Sequence, residues 1–163
     1  MKEESIYYEN VNIESQSSHI PRYCRIMAFN GFSWSEPALS IPSSIIPSIQ
    51  PPGQVLNPIA YASSSIGIIA KWSLPSIDEF VYGGDGGSPI THYVVEWDTK
   101  PDFSSPAESA IVMANLTSFQ VGGRDSVTGA ESDILTPGGI FYLRVTAFNN
   151  IGSGPATLLR HPV

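Results

Sequence analysis

Leu135 to Ala156 reads "LTPGGIFYLRVTAFNNIGSGPA". Pro137 with Gly138 and Gly139 predicts a tight turn. Phe141, Leu143, Val145 and Ala147 then alternate with Tyr142, Arg144 and Thr146. That period of two predicts a strand with its first set facing a core. "NNIGSGP" predicts a second turn, and Ala156 to Leu159 a last short strand. Tyr142 to Ala156 has a near-copy at Tyr23 to Ala38, "YCRIMAFNGFSWSEPA". Both run Tyr, apolar or Cys, Arg, β-branched, any residue, Ala, Phe, Asn, then a small-residue turn and Pro-Ala. The first copy has only 22 residues ahead of it.

Moving outward, the chain shows one strand pattern after another. "SIYYENVNI" at 5–13 predicts a strand. Arg22 to Asn30 predicts another, with Cys24, Ile26 and Ala28 on its inner face. A short strand is expected at Ala38 to Ile41. Pro42, Pro47, Pro51 and Pro52 follow, and proline at that density removes donors and stiffens a linker. The domain boundary is expected there. Beyond it, "QVLNPIAYASS" predicts a Pro-interrupted edge strand. "SIGIIAKWSLP" places Ile66, Ile68, Ala70 and Trp72 inward. "ITHYVVEWD" sets Tyr93, Val95 and Trp97 inward against Val94, Glu96 and Asp98 outward. "AIVMAN" and "TSFQV" are two further short strands. "SIDEFVYGGDGGSP" and "GGRDSVTGAESDI" are loops, the second with the look of an insertion. From about Pro51 onward this makes seven strands with turn signals between them and no amphipathic helix, which indicates a β-sandwich.

Composition agrees. Among 163 residues there are 14 glycines and 14 prolines, and charged residues are 14% against a typical ~25%. Net charge is −7 with eight basic residues, none clustered, which argues against nucleic acid and anionic membrane as partners. No apolar run approaches the ~20 residues of a spanning helix, so no direct membrane insertion is expected. "MKEESIYYEN" lacks the apolar core of a signal peptide. Cys24 is the single cysteine, so the core and not an internal disulfide must hold the fold.

The stretch from Pro51 to Val163 resembles the fibronectin type III family, an all-β, immunoglobulin-like β-sandwich of seven strands. Trp72 matches the family's core tryptophan on the second strand. "GGSPITHYVVEW" resembles the third strand and the loop before it. Leu135, Pro137, Gly138, Arg144, Val145, Ala147, Asn149, Gly152 and Pro155 match its later corner, sixth strand and final hairpin. Phe141 stands where the family carries a corner tyrosine, so that pocket is filled without a hydroxyl. The resemblance implies that residues 1–47 are the C-terminal half of a preceding domain plus the start of the Pro-rich linker, and that residues 48–163 are a complete domain. The second piece is expected to fold alone. The first is expected to need upstream strands or another chain. The resemblance also implies that the 76–89 and 149–155 loops lie at the pole facing the linker, and the 122–134 loop at the other.

No catalytic constellation stands out. His19, His92 and His161 are far apart and lack partners at metal-ligand spacing. "GGDGGS" lacks the Lys and following helix of a phosphate loop. Asp78, Glu79 and Asp85 share a loop, but its glycines suffice to explain it as a flexible turn, and neither metal nor cofactor is expected. Cys24 is expected to be a small buried hydrophobe. Asn115 opens "NLT", an N-glycosylation acceptor pattern. Phe32 and Trp34 lie in a turn. They are expected to contact a neighbouring domain, with a partner protein as the alternative.

The expected function is therefore structural or binding: a spacer or adhesion and protein-recognition unit of a multidomain array, not an enzyme. Its expected partners are proteins or neighbouring domains of the same chain. The alternatives are an accessory domain of a large extracellular enzyme, such as a carbohydrate-active one, and an intracellular scaffold module. The residues fix no compartment; the family resemblance leans toward an extracellular or cell-surface setting.

Overall fold

The computed structural model describes residues 21–46, 48–76, 84–104 and 108–160. The expected strand at 5–13, and His19, His161, Asp78 and Glu79, lie outside them. The chain falls into two compact units, Met1–Ser48 and Ile49–Val163. Among the described residues all regular structure is β and every sheet is antiparallel.

In the first unit, β1 (Arg22–Ile26) pairs with β2 (Ala38–Ile45). β2 is longer than expected and passes through Pro42, which the sequence placed in the linker. The register shifts between Tyr23 and Arg25, whose partners are Ser44 and Leu39. Residues 40–43 bulge out of the ladder there, so proline's missing N–H breaks no rung. The inward face expected of β1 is not buried. Cys24 and Ala28 are exposed, and Ile26 is 66% exposed. Alternation assigned these residues to a face, but no described layer covers it.

The second unit carries the core. Strands β3 (Leu56–Ser64), β4 (Gly67–Ser73) and β7 (Ser118–Val121) form one sheet in the order β3-β4-β7. Strands β5 (His92–Asp98), β6 (Glu108–Met113), β10 (Tyr142–Phe148) and β11 (Thr157–Leu158) form the other, in the order β11-β10-β5-β6. Between β7 and β10 lies a small hairpin of β8 (Gly123–Arg124) and β9 (Glu131–Ser132). The loop that looked like an insertion is thus ordered, and it adds two short strands to the seven expected.

The inner faces are the alternating sets read from the sequence. Ala70 and Trp72 of β4, Tyr93, Val95 and Trp97 of β5, and Leu143, Val145 and Ala147 of β10 are all buried. Val55, Val112, Phe119, Val121 and Leu135 complete the cluster, with Ile68 and Phe141 packed against it. The Trp72 ring meets Tyr93 edge-on at 5.3 Å, a favoured aromatic geometry. Asp98 departs from expectation. It is buried rather than outward, because its carboxylate accepts the Lys100 N–H at 3.1 Å and ends the strand in a turn.

Pro58 sits where the β3–β4 register shifts, next to Asn57 at φ +48°. Beyond the break, the outer edge of β3 meets Arg160, the last described residue. Ala60 N–H donates to Arg160 C=O at 2.9 Å, and Arg160 N–H donates to Pro58 C=O at 3.1 Å. This bridge is parallel, so β3 and the last described segment run the same way.

Candidate functional site

Three places in the second unit use polar side chains to fix its ends and its outer face. The first is the pole that receives the incoming chain. Gln50 N–H donates to Gly86 C=O at 2.8 Å, and Gly53 N–H to Gly84 C=O at 2.9 Å. Pro52, Gly53 and Val55 are buried. Asn149 ties the pole together from the turn after β10. Its Nδ2 donates to Gln50 C=O at 2.7 Å and to Asp85 C=O at 2.9 Å. Its Oδ1 accepts the N–H groups of Ile151 at 2.8 Å and Gly152 at 3.1 Å. The side chain is almost wholly buried, so every one of these bonds replaces one to water. Packing is close enough to demand glycine. A Cβ on Gly86, at φ +72°, would overlap the Gln50 carbonyl, and one on Gly154 would overlap that of Pro52. The loops 84–88 and 149–155 do gather at the linker end. Replacing Asn149 by alanine is expected to cost about 1–2 kcal/mol, since two carbonyls and two amides lose their partner. Urea unfolding of the variant would measure it.

Asp85 serves this pole as a turn former. Its Oδ1 accepts the Gly87 N–H at 2.8 Å. Among the described residues no three His, Cys, Asp or Glu side chains converge as metal ligands.

The second place is the opposite pole, organised by Asp125. Only 3% of this residue is exposed. Its Oδ2 accepts the Gln120 N–H at 2.7 Å. Its Oδ1 accepts from Val127 N–H at 2.9 Å and Thr128 Oγ1 at 2.9 Å, and from the Thr128 N–H at 2.6 Å. Asp125 N–H donates to Ala130 C=O at 2.8 Å, closing the hairpin. Burial alone would push this carboxyl up; the bonds from Thr128, Gln120 and Val127 outweigh it and hold it below its ordinary value. Nearby, a Cβ on Gly122, at φ +88°, would overlap the Ile66 carbonyl, so the hairpin is packed against the β3–β4 turn.

The third place is the outer face of the four-stranded sheet. Glu96 and Arg144 are directly opposite across β5 and β10. Arg144 Nε and Nη2 donate to the two Glu96 oxygens, each at 2.8 Å. This fork geometry is the strong form of the pair, and the Glu96 bonds raise the Arg144 pKa. The guanidinium also lies 4.2 Å from the Phe103 ring centroid. The pair is partly exposed, so solvent screens it. A double-mutant cycle on Glu96 and Arg144 should give a coupling of about 0.2–1 kcal/mol; a coupling of zero would mean that the pair adds nothing to stability. On the same face His92 stacks on Phe148 at 4.7 Å.

The other residues singled out from the sequence are not gathered into one site. Asn115 is exposed, in the turn between β6 and β7. Phe32 and Trp34 belong to the first unit. Phe29 and Trp34 pair across a turn with their rings 5.0 Å apart, and Asn30 Oδ1 accepts the Phe32 and Ser33 N–H groups. Phe32 itself is 94% exposed at the tip. Sequence reasoning missed the roles of Asp125 and Asn149. The available signal was an Asp two and three residues before its turn donors, and an Asn ahead of a glycine turn, which is the pattern of a side chain that caps its own turn.

No family model matches the chain. Among solved structures it is similar to "Titin kinase and its flanking domains", at 20% identity and a TM-score of 0.47, over 70% of this chain and 17% of that one. The chain thus spans under a fifth of that structure's length. Among the described residues the structure is all-β, with antiparallel sheets consistent with an immunoglobulin-like sandwich.

Proposed function

We propose that this chain is a non-catalytic structural and binding piece of a fibronectin type III array, acting as a spacer or protein-recognition unit between neighbouring domains. The strand orders β3-β4-β7 and β11-β10-β5-β6 support the family reading, together with Trp72 on the second strand of the three-stranded sheet. The observation that carries the spacer reading is the parallel bridge between Ile59 and Arg160. The incoming chain is clamped at Asn149, β3 runs away from that pole, and β11 runs the same way. Tension along the chain then loads the Ala60–Arg160 and Arg160–Pro58 hydrogen bonds together, in shear, instead of one after another.

Stretching the 163-residue chain between its ends tests this. One sharp unfolding event is expected, lengthening the tether by roughly 350 Å, close to the extended reach of the second unit's residues. A smooth extension without such an event would overturn the spacer reading.

A further inference from the structure

Strand β6 ends the four-stranded sheet among the described residues, with β5 on its one paired side. Its residues alternate sharply. Val112 is fully buried, while Ile111 and Met113 are 75% and 72% exposed. Met113 lies opposite His92, which stacks on Phe148, and Ile111 lies opposite Val94, so the apolar strip continues inward from the edge. A strand edge with outward apolar side chains is a template for pairing with another chain, and native sheets cover or charge such edges. No lysine, arginine or proline lies within β6 itself.

The chain's single Asn-x-Thr or Asn-x-Ser triplet without a middle proline starts two residues beyond Met113. Asn115 and Thr117 are both exposed, in the turn that the Leu116 N–H to Met113 C=O bond closes at 3.0 Å. We propose that Asn115 is an N-glycan acceptor whose carbohydrate covers the Ile111–Met113 edge of the sheet. The donor class is a polyprenyl-diphosphate-linked oligosaccharide. The Asn115 amide nitrogen forms a bond to the sugar's anomeric carbon and loses one proton. The bond from that carbon to the diphosphate oxygen breaks, and polyprenyl diphosphate leaves with the electron pair. Thr117 supplies the hydroxyl that the acceptor pattern requires.

The test is to secrete the full chain from a eukaryotic host behind an added signal sequence. Intact mass should show a carbohydrate increment that peptide-N-glycosidase removes and that Asn115→Gln and Thr117→Ala both lack. Peroxide oxidation of the folded protein, followed by peptide mass, then reads the covering. Met113 should oxidise about two-fold or more slowly with the glycan than in Asn115→Gln, while Met27 in the first unit should oxidise equally in both. Folded, secreted protein with Asn115 unmodified would overturn the acceptor site. Equal Met113 oxidation with and without the sugar would overturn the covering.

Discussion

Replacing Trp72 by alanine is expected to remove about 3–5 kcal/mol of stability from the second unit, the range for deleting a buried large aromatic. Domains of this size are stabilised by only about 5–15 kcal/mol, so much of the total is at stake. The ring is 4% exposed and packs edge-on against Tyr93. Its backbone is fixed as well, because Trp72 N–H donates at 3.0 Å to the C=O of Thr117, the residue just ahead of β7. The surrounding β-branched side chains of both sheets have little freedom to collapse into the space. Trp72→Phe should lose much less, since the indole Nε1 is buried with no hydrogen-bond partner among the described residues. Chemical denaturation of the two variants measures both. A loss below about 1 kcal/mol for the alanine variant would mean that the inner face has been assigned wrongly.

Replacing Asp125 by alanine should cost about 3 kcal/mol, the upper range for bonds to a charged group, because the amides of Gln120, Val127 and Thr128 lose their common acceptor. The effect should depend on pH in a stated direction. The folded carboxyl is held below its ordinary value, while in the unfolded chain it titrates near ~3.9. Its contribution is therefore fully present above about pH 4 and is lost as the pH falls through the lower, folded pKa. Asp125→Asn should be less stable than the parent at neutral pH, and the gap should narrow below about pH 4. A gap that widened with acid would contradict the assignment of Asp125 as an ionised acceptor.

The strands and the inner face of the second unit were legible because alternation is local. Ile68 to Trp72, Tyr93 to Trp97 and Leu143 to Ala147 each show period two within a few residues, and burial follows it. The Glu96–Arg144 pair was legible at one remove, once β5 and β10 were set side by side. The clamp at Asn149 was not, because its partners Gln50 and Asp85 lie 99 and 64 residues away in sequence. Both are backbone carbonyls, which carry no mark in the sequence. Asp125 was hidden differently. Its loop reads as polar and irregular, and its order comes from one carboxylate gathering donors that only the turn brings together. Cys24 shows the limit of periodicity. Alternation tells which residues share a face, but a face is buried only if another layer lies over it.

Native-state amide hydrogen exchange on the dilute 163-residue chain separates the buried sheets of the second unit from the exposed hairpin of the first. Exchange protection follows the cost of opening each segment. The amides of Val95 and Val145, in the buried sheet, should exchange only through global unfolding of the second unit. Those of Ile26 and Ala28 should exchange quickly, through opening of a hairpin whose apolar face no described layer covers. Protection of Ile26 equal to that of Val145, in a protein shown to be monomeric, would mean that the first unit closes a core of its own.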